Sequence, residues 1–96
     1  MSEVLKAASE ALSSKIAGSG YGGTAKFQIA DEGSIVIDGE SVRLADEDTD
    51  VTLSADAETF QSMLEGDLDP TSAFMSGRLT IDGDMGLAMQ LAGVFS

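Results

Sequence analysis

Leu5, Ala8, Leu12 and Ile16 recur every three or four residues on one stripe, which predicts an amphipathic helix from about Glu3 to Ala17. Ser2 is placed to cap it, Glu3 sits favourably in its first turn, and Gly18 is its stop. After a glycine loop, 18–23, the period changes. Ala25, Phe27 and Ile29 alternate with Lys26 and Gln28, the signature of a half-buried strand over Thr24–Ala30. Asp31-Glu32-Gly33 turns the chain into a second strand, Ser34 to Asp38. Asp38-Gly39 is a hairpin signal, and Val42 and Leu44 mark a third strand from Ser41 to Ala45. Three strands joined by such short turns predict an antiparallel meander.

An acidic turn, Asp46 to Asp50, precedes a fourth strand marked by Val51 and Leu53. Ser54 or Asp56 caps a helix with Phe60, Met63 and Leu64 inward and Gly66 as its stop. Asp69 caps a short helix that Pro70 opens, proline being well placed at the first helical position, and Gly77 closes it after Met75. Arg78 to Asp82 reads as a fifth strand, and Asp84 caps a terminal helix. The order α-β-β-β-β-α-α-β-α predicts an α+β fold, one mixed sheet with helices packed mainly on one face. No repeat, linker or low-complexity tract interrupts it, and 96 residues are expected to form a single domain, 1–96.

The terminal segment breaks the amphipathic rule. Met85, Leu87, Ala88, Met89, Leu91, Ala92, Val94 and Phe95 cover almost the whole helix, relieved only by Gly86, Gln90, Gly93 and Ser96. A helix apolar all round must be buried or must meet something else. A chain this small has little left to surround it, so it covers a cavity, meets a partner or binds an apolar ligand. Met63, Met75, Met85 and Met89 point the same way, because methionine fills irregular apolar space.

Composition narrows the chemistry. There is no cysteine and no histidine, which removes thiol and disulfide chemistry, the commonest general base and the commonest transition-metal ligand. An enzyme is therefore not expected, nor a cofactor or metal. The net charge of −12 comes from 17 acids against Lys6, Lys15, Lys26, Arg43 and Arg78, which are scattered. Nucleic-acid binding and docking on anionic headgroups both need clustered cations, and neither is expected. No run approaches the ~20 apolar residues of a membrane span, the first turn is too charged for a signal peptide, and Gly93-Val94-Phe95-Ser96 matches no peroxisomal signal. A cytoplasmic location is the default expectation.

Three motifs imitate known sites. Gly18-Ser19-Gly20-Tyr21-Gly22-Gly23 spells G-x-G-x-x-G, but a dinucleotide site needs a strand before it and a helix after it, the reverse of this order. It reads as a connector. Asp46, Asp48 and Asp50 match positions 1, 3 and 5 of a calcium loop, yet Val51 stands where glycine is needed and Ala57 where a bidentate glutamate is needed. That segment reads as a solvated turn at a sheet end. Asp82 and Asp84 flank Gly83 like an acid/base pair, but one lies in a turn and the other is a helix cap.

The block Gly66-Asp67-Leu68-Asp69-Pro70, then Ala73-Phe74-Met75-Ser76-Gly77-Arg78-Leu79, then Ile81-Asp82-Gly83-Asp84 resembles the sterol carrier protein 2 (SCP2) lipid-binding domain family. Lys26-Phe27-Gln28-Ile29 and Asp50-Val51-Thr52-Leu53-Ser54 are similar to that family's first strand and strand-to-helix junction, and the chain is identified as a stand-alone, bacterial-type member. The resemblance implies a five-stranded mixed sheet covered on one face by helices, with an apolar tunnel. It implies non-enzymatic binding and intracellular transfer or buffering of a long-chain lipid: a fatty acid, a sterol-like molecule or another apolar ligand. The acidity of this chain makes a coenzyme A ester an awkward ligand. The lining carried over by the resemblance is Phe60, Leu64, Phe74, Met75, Met85, Met89 and Leu91, and Arg78 is the candidate headgroup anchor, against a surface pairing with Asp82 or Asp84. The alternative is an accessory module of a lipid or quinone biosynthetic assembly, meeting an enzyme partner or a second copy through the terminal helix. A ~300 Å³ pocket left empty at ~24 cal/mol per Å³ costs about 7 kcal/mol against a total stability of ~5 to 15 kcal/mol. Either the methionines collapse into such a space or a ligand fills it.

Overall fold

The computed structural model describes residues 3–95, with the side chains of Val4 and Phe95 left aside, so the cap expected at Ser2 and the packing of Phe95 lie outside it. Its elements are α1 (Glu3–Ile16), β1 (Thr24–Ile29), β2 (Gly33–Asp38), β3 (Ser41–Leu44), β4 (Val51–Ala55), α2 (Ala57–Leu64), α3 (Pro70–Met75), β5 (Thr80–Gly83) and α4 (Met85–Phe95). The five strands form one sheet in the order β3-β2-β1-β4-β5. The β1-β2-β3 meander is antiparallel, β4 runs parallel to β1, and β5 returns antiparallel to β4. The sheet is mixed, as the element order implied.

Alternation decides the inner face. Ala25, Phe27 and Ile29 of β1 pair laterally with Ile37 and Ile35 of β2 and with Val51, Leu53 and Ala55 of β4, so these apolar residues of the three central strands land on one side. The stripe Leu5, Ala8, Leu12 and Ile16 of α1 is buried, and α1 lies over β2 and β3 and beside α2. Helix α4 lies over β4, β1 and β5. Two groups of helices therefore share the inner face.

The acidic segment has a different place from the expected one. β3 and β4 stand three strand positions apart, and the link between them, residues 45–50, crosses the outer face of the sheet. Lys26 on that face pairs with Asp46 at 2.9 Å, and Arg43 pairs with Glu47. Asp50 is tied to the start of β1 by its own N–H, which donates to Thr24 Oγ1 at 2.9 Å. Val36 points to this outer face and is nonetheless buried, 1% exposed, as a residue under a strap would be. The run Asp46 to Asp50 is thus a crossover rather than a turn at a sheet end.

Other boundaries shift for local reasons. Asp56, not Ser54, caps α2: its Oδ1 accepts from the Thr59 N–H at 2.7 Å, and Thr59, through its side chain first and its N–H second, holds the Asp56 carboxyl below its usual pKa. Asp69 has the extended backbone of a cap but makes no side-chain capping bond; Pro70 at the first position does the starting. Asp84 does cap α4, accepting from the Leu87 N–H at 3.1 Å. β5 begins at Thr80 rather than Arg78, because the Arg78 and Leu79 amides still donate to the Ala73 carbonyl, at 2.9 and 3.1 Å, finishing α3.

Gly83 closes β5 with φ +116°, and a Cβ there would collide with the Asp50 backbone carbonyl. Tyr21, inside the glycine loop, is buried to 5% exposure, and its hydroxyl has no hydrogen-bond partner among the described residues. Burial, then the nearby Asp50 and Asp84 carboxylates, push its pKa up to about 12 from 10.0.

Two outcomes follow. Gly83→Ala should destabilise by about 2 kcal/mol or more, since a left-handed non-glycine residue alone costs ~1–3 kcal/mol, read as a lower urea midpoint with unchanged slope. For Tyr21, the unfolded chain ionises near pH 10 while the folded one holds its proton to about pH 12. Its contribution is therefore complete below pH 10 and is lost as pH rises through this window. Tyr21→Phe should be at least as stable at pH 7, because no hydrogen bond is lost, and should unfold less steeply between pH 10 and 12 in alkaline melts.

Candidate functional site

The β-register builds the floor of the site. Phe27 pairs with Leu53 and Leu53 with Ile81, so three inward side chains from β1, β4 and β5 stand in one row. Met63 of α2 and Leu79 flank this row. Pro70, Thr71, Phe74 and Met75 of α3 form one wall, and Met85, Ala88, Met89, Leu91 and Ala92 of α4 form the other. Positions 85, 88, 89 and 92 share one helical face. Together these residues surround a partly open cavity of about 270 Å³.

The space persists for readable reasons. α3 is six residues long and cannot cover the whole row. α4 turns Ala88 and Ala92 toward the floor, where larger side chains would fill it. α4 is also held close to the sheet, since Leu87 packs so tightly on Gly23 that a Cβ there would overlap it. The inner part of the site is buried, with Phe27, Leu53, Met63, Leu79, Ala88 and Leu91 all below 4% exposure and Ile81 half-buried at the β5 edge. The rim is not: Phe74 is 43% exposed, Met85 47%, Met89 69% and Met75 81%. Helix α4 is accordingly not buried all round; Met85 and Met89 edge the opening, and Gly86, Gln90 and Gly93 face outward. No helix among the described residues is long and apolar enough to cross a membrane.

Of the residues singled out in the sequence, Phe74, Met75, Met85, Met89 and Leu91 come together around this cavity. Phe60 and Leu64 do not line it. Successive helical residues point ~100° apart, which sends Met63 to the cavity edge of α2 and Leu64 to the opposite edge. Phe60 and Leu64 border a smaller recess of about 210 Å³ against Ala7, Ala8 and Ala11 of α1. Phe60 acts only from behind, its ring tilted 49° against Phe27 at 4.9 Å between centroids. Arg78 also lies elsewhere. It is exposed in a shallow groove with Gln28, Ser54 and Thr80, where its charge lowers the Asp56 pKa. Among the described residues it makes no ion pair with Asp82 or Asp84.

Sequence reasoning passed over Phe27, Leu53 and Ile81 as lining, because each looks like any inward strand residue until the register is known. Chemically the site is inert. Thr71 is the single polar side chain in the lining, and no acid, base or amide joins it. No group of three or more carboxylates among the described residues is placed to hold a metal.

Known proteins agree with this geometry. A 42-residue stretch is 62% identical to hydroxysteroid dehydrogenase-like protein 2 of Danio rerio, covering 44% of this chain and 10% of that protein. The chain thus spans about a tenth of the length of that curated relative. The solution structure of sterol carrier protein domain 2 of Helicoverpa armigera superposes with a TM-score of 0.73 at 28% identity, over 95% of this chain and 81% of that one. The structure of sterol carrier protein 2 from Aedes aegypti, solved in complex with the C16 fatty acid palmitate, has a TM-score of 0.79 at 18% identity, over 100% of this chain and 97% of that one. Residues 2–96 match the SCP-2 sterol transfer family, and with the fold in agreement the chain belongs to that family.

Proposed function

We propose that the protein binds a long-chain apolar ligand in the α3/α4 cavity and carries or buffers it without chemical change. The carrying observation is the cavity itself: apolar but for Thr71, floored by three strands and edged by exposed methionines. The palmitate complex of the Aedes relative supports a lipid as the occupant. An inert lining supports carriage over catalysis, since no acid or base lines the cavity with the threonine hydroxyl to activate it. At about 270 Å³ the cavity takes roughly nine groups of water or methylene size. A sixteen-carbon chain therefore projects through the rim or displaces it.

A second reading is supported by the Danio relative, in which the matched stretch is a tenth of a longer protein named as dehydrogenase-like. There the domain would act as an accessory module presenting its lipid to an enzyme. The rim methionines would be the surface it uses.

Both readings require an occupant. Native mass spectrometry of freshly purified protein should show lipid adducts, and delipidated protein should melt lower. Ligand at 100 times its Kd adds ~2.7 kcal/mol, roughly 10 °C or more for a domain of this size. No adduct, together with an unchanged Tm on adding palmitate, decanol or cholesterol, would refute lipid binding. Ala88→Phe should fill the cavity, leaving the ligand-free protein as stable or up to ~2 kcal/mol more so while weakening uptake at least tenfold. Retained uptake would place the ligand elsewhere.

A further inference from the structure

The five lysine and arginine side chains all lie away from the cavity lining. Lys26 lies on the outer face of the sheet with Asp46, at 2.9 Å. Arg43 lies on the same face between Asp38, at 3.8 Å, and Glu47. Arg78 sits in the groove at the opposite sheet end beside Asp56. Lys6 and Lys15 belong to α1, which contributes nothing to the lining. The lining elements begin with carboxylates instead: Asp69 directly precedes Pro70 and Thr71, and Asp84 directly precedes Met85. Around this stands a net charge of −12, which raises the local concentration of cations and lowers that of anions.

A carboxylate head group held at this opening loses part of its hydration close to like charges, with no lysine or arginine side chain among the lining residues to receive it. An uncharged hydroxyl or ester loses much less, and one partner suits it: Thr71 at the opening, whose hydroxyl both donates and accepts. We infer that the cavity selects long-chain amphiphiles with an uncharged head group and discriminates against anionic ones of equal length, with Thr71 as the polar contact. This rests on the lipid-binding reading and departs from the ligand held by the Aedes relative, whose head group is a carboxylate. It makes head-group charge, rather than chain shape, the specificity determinant of this member.

The test is displacement of Nile red, an uncharged probe, by 1-decanol and by decanoate at pH 8, both below their aggregation limits. The ten-carbon chain is close to what the cavity volume admits. Decanol should compete at least tenfold more strongly than decanoate. Thr71→Lys places a cation at the opening and should narrow or invert that ratio; Thr71→Val should weaken decanol several-fold. Decanoate competing within twofold of decanol on the unsubstituted protein overturns the inference, as does a ratio that Thr71→Lys leaves unmoved. If Nile red is not taken up and neither ligand shifts the Tm, the lipid-binding reading itself fails, an outcome distinct from equal binding of both.

Discussion

The parallel pairing of β1 with β4 is the constraint on which the rest of this structure depends. β3 and β4 stand three strand spacings apart, about 14 Å at ~4.8 Å per spacing. The six residues 45–50 that join them can span about 20 Å when extended. They have length for a direct crossing and none for a helix. The inner face already carries α1, so the link passes over the outer one, held by Lys26, Arg43 and Thr24. This crossing leaves the inner face to helices alone and splits it. α1 takes β2 and β3, while α3 and α4 are left with β1, β4 and β5. The row Phe27–Leu53–Ile81 lies under that second group, and the cavity is what a six-residue and an eleven-residue helix fail to cover.

The same strap sets the charge map. Asp46, Glu47, Asp48 and Asp50 give the outer face a dense negative run, and two of the five cations are drawn there to hold it. Each exposed pair adds little stability alone. What matters more is where it places charge, because cations anchored behind the sheet cannot serve a ligand in front of it. The sheet separates a polar, ion-paired layer from an apolar one, with Val36 as the one aliphatic side chain of β2 turned to the polar side.

Much of this was legible in the sequence, and the division between what was and was not is physical. Helix stripes, strand alternation and turn glycines are local, so all nine elements and the antiparallel meander could be read. Partnership between β1 and β4 is not local: nothing in Val51-Thr52-Leu53 says that it lies beside Ala25-Lys26-Phe27, and so the role of 45–50 was misjudged. The rim was readable because Met75, Met85 and Met89 are too many apolar groups for the available interior. The floor was not, because Phe27, Leu53 and Ile81 are ordinary core residues until register aligns them. Phe60 and Leu64 illustrate a finer limit: the stripe of α2 was right, but which edge faces α1 and which faces α3 depends on the helix's rotation against the sheet.

The remaining issue is why the cavity need not collapse. Sealed and empty, about 270 Å³ would cost roughly 6 kcal/mol, a large part of the stability of a small domain. The floor cannot rise to fill it, because its row is fixed by β-sheet hydrogen bonds on both sides of β4. α4 cannot sink far, because Leu87 already rests against Gly23. What can move is the rim, and three of its four exposed apolar residues are methionine. An unbranched thioether changes rotamer at little cost, so Met75, Met85 and Met89 can lean inward over an empty site and swing out around an occupied one. Variation in ligand length is then absorbed at the rim while floor and walls stay fixed. This accounts for methionine at these positions, where leucine would supply similar hydrophobicity but less adjustability.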